Sequence, residues 1–325
     1  PVYEAYREWI SALRLSAEQD LAGAARGFQR ATSLDSTFTV AYLMTSGMLI
    51  GLSRLSEADS ILDRLETRME SLTPLERTAW EGQRARLRGD IEGWLEASRR
   101  AGEIMPFSPA TRDLAEGPIF LNRPQEAIAF LDQLDFSQEF VDGWTQFWEF
   151  YHDAHHLLGQ YNEALGVAER GRSRYPNSTL VSLIDLPTLA ALGRIEAANR
   201  RLDAALSRPS QPGVDLGEAM LDAAAEFRTH GHPEESLEML QRFHTWFASL
   251  SAEEASSRDR RRQLVDALNL EGRHTEALDV AQALARDFPK AANLQGRMGR
   301  TAAAAGDTET AWQVFRRLGD QDAPY

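Results

Sequence analysis

The chain has 325 residues, 43% of them hydrophobic and 26% charged, with 22 Gly and 13 Pro, so it is neither a low-complexity tail nor too polar to bury a core. Its 49 acidic residues against 35 basic ones give a formal net charge of −14, which repels phosphate backbones and makes nucleic acid an unexpected partner. No cysteine is present, which removes disulfides, thiolate metal sites, iron–sulfur clusters and cysteine nucleophiles together.

The basic residues are lopsided: 34 of the 35 are arginine, and Lys290 lies in the turn-like string Asp287-Phe288-Pro289-Lys290. That context suits neither a phosphate-binding loop nor a kinase lysine. The arginine bias points to a GC-rich bacterial genome. No basic–apolar–small leader opens the chain, and a start at Pro1 implies that something upstream was cleaved or left out.

In chain order, helical Val2-Tyr3-Glu4-Ala5-Tyr6 leads into a first small-residue copy at Ala24, whose Phe28 and Ala31 follow at helical spacing. The uncharged stretch from Ser36 to Ser53 is interrupted by Thr39, Thr45, Ser46 and two glycines, so it reads as a buried helix rather than a membrane span. Equivalent positions then recur at Ala58, Trp94, Ala127, Ala164, Ala198, Ser236, Ala277 and Ala311, at steps of 33 to 41 residues. The clearest turns are Gly89-Asp90-Ile91-Glu92-Gly93-Trp94, Gly159-Gln160-Tyr161-Asn162-Glu163-Ala164, Gly193-Arg194-Ile195-Glu196-Ala197-Ala198, Gly272-Arg273-His274-Thr275-Glu276-Ala277 and Gly306-Asp307-Thr308-Glu309-Thr310-Ala311.

A period of this length means a supersecondary unit repeated along the chain. Each copy predicts an apolar helix, a glycine-containing turn, and a second helix whose small residue admits its partner closely. Pro106, Pro176 and Pro289 fall just beyond second helices, as expected of residues that cannot continue them. No sustained period-two alternation predicts a strand. The expected fold is all-α, with nine copies covering about 5–38, 39–74, 75–107, 108–144, 145–178, 179–214, 215–256, 257–291 and 292–325 as a single domain. Longer steps place inserted loops at Ser207 to Gly213 and at Ser249 to Ser257.

These residues resemble the tetratricopeptide repeat family: Trp148, the Gly159-Gln160-Tyr161-Asn162-Glu163-Ala164 turn and Pro176 match that family's aromatic, glycine, tyrosine, alanine and proline pattern in one copy. The resemblance spans nearly the whole chain. It implies a right-handed superhelical solenoid whose inner wall binds protein or peptide. More narrowly, Ala31-Thr32-Ser33-Leu34-Asp35, the Gly231 to Glu235 turn and Gly296 to Gly306 look like repeat regions attached to bacterial serine/threonine kinases and transcriptional regulators. That would place a kinase, cyclase or DNA-binding module upstream of Pro1.

The candidate site lies in Glu149-Phe150-Tyr151-His152-Asp153-Ala154-His155-His156, with three of the seven histidines beside two carboxylates. His152 and His156 are one turn apart, as are Glu149 and Asp153, so chelation along one face competes with plain packing and surface hydrogen bonding, the reading preferred here. The resemblance implies that Gln146, Glu149, Asp153 and His156 face the inner wall while His152 and His155 turn toward the neighbouring helix. Just upstream, Phe136, Phe140 and Trp144 precede the helix in a longer linker, where they either fold back as core or anchor a partner. The arginines at 84, 86 and 88, which follow Glu76 and Glu81, and those at 258 and 260–262, which follow Glu253 and Glu254, are expected to pair with carboxylates on helix faces in preference to recognising an anion.

No serine elbow, dinucleotide glycine motif, zinc-protease motif or kinase triplet is present. The reading is a non-catalytic scaffold or sensor with no cofactor or metal, binding a protein or peptide. Two alternatives stand beside it: an extrinsic subunit docking on a membrane-bound complex, and an all-α hydrolase or metal-binding protein using Glu149, Asp153 and His156. The compartment is left open between cytoplasm and periplasm, with membrane association through a partner or a missing segment.

Overall fold

The computed structural model describes residues 1–106, 108–137, 141, 144–289 and 291–319. One backbone device recurs nine times in it. Residues 19, 53, 89, 122, 159, 193, 231, 272 and 306 all have φ between +54° and +86°, and each stands five positions before one of the aligned positions, which are small residues except at Trp94. The next residue donates its N–H to a carbonyl five positions back: Asp20 to Leu15 at 2.8 Å, Arg54 to Leu49 at 2.8 Å, Gln160 to His155 at 3.0 Å and Asp307 to Ala302 at 2.9 Å are examples. This bond closes a left-handed helix C-cap. Glycine adopts that conformation without steric cost, so six of the nine caps are glycine; Gln19, Ser53 and Asn122 hold it in the degenerate copies.

The device turns each helix back onto the next. The chain divides into two units, residues 1–184 with 210–214 and residues 185–209 with 215 onward. In the first, α1 (Tyr3–Ala17) pairs with α2 (Leu21–Leu34), α3 (Thr39–Gly51) with α4 (Leu55–Glu66), α5 (Pro74–Leu87) with α6 (Ile91–Ile104), and α7 (Ala110–Phe120) with α8 (Pro124–Leu131). Then α9 (Gln146–Leu157) pairs with α10 (Tyr161–Arg174), and α11 (Thr179–Leu183) follows. The second unit holds α12 (Leu186–Ala191), α13 (Ile195–Leu206), α14 (Leu216–Thr229), α15 (Pro233–Ala248), α16 (Ala252–Ser256), α17 (Arg258–Leu270), α18 (His274–Asp287), α19 (Ala292–Ala304) and α20 (Thr308–Gly319). The fold is an all-α helical repeat solenoid, with no strand among the described residues.

The aligned residue of each second helix, small in every copy but that of Trp94, is where the pair closes. Ala24, Ala58, Ala127, Ala164, Ala198 and Ala277 are fully buried. Ser236 takes the place of alanine by donating its hydroxyl to the Ala224 carbonyl at 2.7 Å, which satisfies a polar group that burial would otherwise penalise. The uncharged Ser36 to Ser53 stretch forms α3, whose Ala41, Leu43 and Leu49 are core. No helix among the described residues is long and apolar enough to cross a membrane.

The arginine clusters pair across helices as well as along them, as Arg262 does with Asp266 at 3.3 Å on its own helix. Arg84 leaves Glu76 and Glu81 and reaches Asp59, Asp63 and Glu66 on α4, with its guanidinium over the Trp80 ring at 5.2 Å. In the second unit Arg260 binds Asp215 at 2.6 Å and Arg262 binds Glu218 at 2.6 Å, so α17 is tied to the start of α14. Spacing along one helix shows only the partners on that helix, and the solenoid offers a second set from the neighbour.

Candidate functional site

The start of α9 sorts its side chains onto two faces. Gln146, Glu149, Asp153 and His156 recur at steps of three and four, and so share one stripe. Gln146 is 2% exposed, and among the described residues neither its amide oxygen nor its amide nitrogen has a hydrogen-bond partner. Glu149, Asp153 and His156 are half-buried. Asp153 faces the Nδ1 of fully buried His152 at 2.9 Å, and the His156 ring stacks on His152 at 5.8 Å and tilts against Tyr161 at 5.3 Å. His155 turns the other way, its Nδ1 2.7 Å from the Gln160 amide oxygen. No group of three or more histidines and carboxylates among the described residues is placed to hold a metal.

The second face is aromatic. Phe136, in the loop after α8, lies 4.6 Å from the Trp148 ring and stacks on Tyr151 at 6.3 Å. Trp144 packs half-buried against the same cluster, while Phe140 lies outside the described residues. The Tyr151 hydroxyl donates to Asp132 and lies under the Arg170 guanidinium, 5.5 Å above the ring. Burial first, then the Asp132 bond, raises the phenol above its ordinary value. Phe136 and Trp148 open onto a groove of about 660 Å³ completed by Asp135, Ser137, Gly166, Glu169, Arg170, Ser173 and Arg174. The sequence residues therefore split: Phe136 meets Trp148 at this groove, and the Gln146 stripe stands on another face of the same helix.

The floor and rim of the groove suit a ligand with both apolar and polar parts. Two guanidiniums one turn apart on α10 stand over tyrosine rings, and Arg174 sits 5.9 Å above Tyr175. At Gly166 a Cβ would meet nothing within 4 Å, so this glycine widens the groove without being required by packing.

The sequence matches no protein-family model and no curated protein. Among solved structures it superposes on the APC/C hetero-tetramer Cut9–Hcn1 with a TM-score of 0.57 at 12% identity, over 95% of this chain and 54% of that one. It superposes on the apo form of the quorum sensor NprR from B. thuringiensis with a TM-score of 0.54 at 12% identity, over 98% of both chains. A tetratricopeptide repeat protein from Parabacteroides merdae aligns at 12% identity and a TM-score of 0.47, over 82% of this chain and 99% of that one. The fold is that of the tetratricopeptide repeat proteins.

This chain spans about half, 54%, of the length of the Cut9–Hcn1 chain it matches. In the α9–α10 pair the first helix carries the aromatic Trp148 and the second carries the small Ala164. Aromatic density in the sequence marks Phe136 and its neighbours, before and on α9, but not α10. The signal there was Gly166 followed by Arg170 and Arg174 at helical spacing, a recess beside a basic rim. A further polar cluster, also missed, lies on α7: Asp113 accepts from the Trp94 indole at 3.1 Å and the Ser98 hydroxyl at 3.2 Å, while Arg112 pairs with Glu116 at 2.8 Å and covers the Phe150 ring at 5.5 Å.

Proposed function

We propose that this chain is a non-catalytic interaction module, a scaffold or sensor that binds a protein or peptide partner at the Phe136–Trp148 groove and the adjoining Gln146, Glu149, Asp153 and His156 stripe. The observation that carries the proposal is the groove itself: two aromatic rings form its floor and Arg170 and Arg174 its rim, the composition in which interface energy concentrates. The fold shared with a quorum sensor and with a hetero-tetramer subunit is consistent with such a role and names no partner.

The test is affinity isolation of the tagged chain from native bacterial lysate, with soluble and detergent-extracted fractions kept apart and stoichiometry read by mass spectrometry. A near-stoichiometric protein in either fraction is the expected result, and the fraction shows whether that partner is membrane-bound. Return of the chain alone from both fractions contradicts the proposal.

A further inference from the structure

Helix α20 presents a face that the other second helices keep covered. The residue four positions beyond the aligned one is buried in all eight other copies, from Phe28 on α2 to Ala281 on α18, whereas Phe315 is 40% exposed. The residue one position beyond it reaches the first helix of the following pair at Leu95 and Leu278: a Cβ at Gly117 on α7 would lie 3.1 Å from Leu95 Cδ1, and Leu278 packs with Ala302 on α19. In the ninth copy that residue is Trp312, and it is 64% exposed. Glu309, Trp312 and Arg316 recur at steps of three and four, and with Phe315 they form one stripe. Glu309 accepts a hydrogen bond from Gln313 at 3.1 Å and Arg316 donates to the Trp312 carbonyl at 3.4 Å, both within the helix. Both charged residues are exposed, and neither forms an ion pair among the described residues.

Charge selects what covers this face. A second copy could continue the repeat by laying its α1 against α20, and Arg84 shows the contacts that would follow. Arg84, five residues before the cap at Gly89, pairs with Asp59, Asp63 and Glu66, which stand one, five and eight residues beyond the aligned Ala58. Arg14 stands five residues before the cap at Gln19, and the corresponding residues of α20 are Trp312, Arg316 and Gly319, so that arrangement sets guanidinium against guanidinium. Two α20 helices laid antiparallel do the reverse. Glu309 lies three residues to one side of Trp312 and Arg316 four to the other, so each copy's Glu309 meets the other's Arg316 and the two indoles come together at the centre. We infer that α20 pairs with α20 of a second copy, an isologous dimer closed by Trp312 and Phe315 and flanked by two Glu309–Arg316 pairs. Four side chains from each copy fall short of the roughly 1,200–2,000 Å² that stable interfaces bury, so the dimer forms and dissociates with concentration. This surface is separate from the Phe136–Trp148 groove, and either can fail without the other.

The experiment is sedimentation velocity of the whole chain over about 1–300 µM, in which the 36.3 kDa species is expected to pass to twice that mass and no further. Glu309→Arg and Arg316→Glu, each confirmed folded by circular dichroism, are each expected to weaken the dimer at least tenfold, because each sets like charges together twice. An equimolar mixture of the two variants is expected to regain the parent's association, since both contacts between unlike copies again join an acid to a base. Gln313→Cys in this cysteine-free chain should give a disulfide-linked dimer on mild oxidation, whereas Arg14→Cys should not, a readout that leaves the charged residues intact. A monomer at every concentration would overturn the inference. So would growth beyond two copies, undiminished pairing in the folded variants, no recovery in their mixture, or cross-linking at position 14 in preference to position 313.

Discussion

Gly171 lies against the Trp148 indole so closely that a Cβ there would come within 3.2 Å of its Cδ2 and Cγ, and within 3.0 Å of Val181 Cγ1. One turn and a half earlier on the same helix, Gly166 would meet nothing within 4 Å. The two glycines therefore predict opposite outcomes. Gly171→Ala overpacks the junction and should destabilise by about 1–3 kcal/mol, less the alanine's better helix propensity. Gly166→Ala should stabilise by about 0.5–1 kcal/mol, because it removes backbone freedom from the unfolded chain at no steric cost. Urea denaturation of the two variants and the parent checks the sign of each.

The helix caps give a second prediction. Gln19 and Ser53 hold φ of +66° and +56°, a conformation costing an L-residue about 1–2 kcal/mol. Gln19→Gly and Ser53→Gly should each raise the thermal midpoint, offset in part by the extra freedom glycine brings to the unfolded chain. Asn122→Gly, with φ +54°, should gain less, since asparagine tolerates this region better. Equal or lower midpoints for both Gln19→Gly and Ser53→Gly would show that the caps are held without strain.

Those caps also explain what the sequence disclosed. The repeat was legible because its glycines sit where backbone geometry demands them, and the same geometry persists at Gln19, Ser53 and Asn122, where no glycine marks it. The helix pairs were legible because burial requires Ala24, Ala58 and Ala164 to be small. The site was legible only in part. Phe136 and Trp148 were conspicuous as aromatics, yet their meeting depends on a loop closing over α9, and Arg170 and Arg174 resemble any solvated helix face until Gly166 is seen to leave space beside them. Ion pairs such as Arg84 with Asp59 join neighbouring repeats and have no signature in either helix alone.

Asp113 makes stability depend on pH in an unusual direction. Burial, opposed by Arg112 and Arg86, raises its carboxyl above the ordinary aspartate value, although 21% of the side chain stays exposed. A raised acid binds more protons folded than unfolded, so its charged form burdens the folded state above the shifted value, and the burden is lifted as pH falls through it. Asp113→Asn keeps an acceptor for the Trp94 indole and should be more stable than the parent at pH 7. The advantage should shrink as pH is lowered toward 3.8, the value of an unperturbed aspartate. Denaturation midpoints across pH 4 to 7 read this directly, and a constant difference would mean that the carboxyl is not the source.

Arg84 should carry stability through packing as much as charge. Its side chain is 10% exposed, whereas its partners Asp59, Asp63 and Glu66 are 50%, 64% and 61% exposed and would return to water if released. Arg84→Ala should accordingly cost about 1–3 kcal/mol, toward the lower end because no carboxylate is left stranded in the core. Arg84→Lys should recover only part of this, since an ammonium cannot fork to several carboxylates while lying flat over Trp80. A full recovery by lysine would reduce the site to a point charge.

The central claim is that a partner seats in the groove between Phe136, Trp148 and α10. It is tested most directly by isolating partners in parallel with the parent chain and with Gly166→Trp combined with Arg170→Glu, both confirmed folded by circular dichroism. The tryptophan fills open space at Gly166, and the glutamate reverses the rim. The account predicts a near-stoichiometric protein with the parent and its loss, tenfold or greater, with the variant. Undiminished recovery by the folded variant would contradict it.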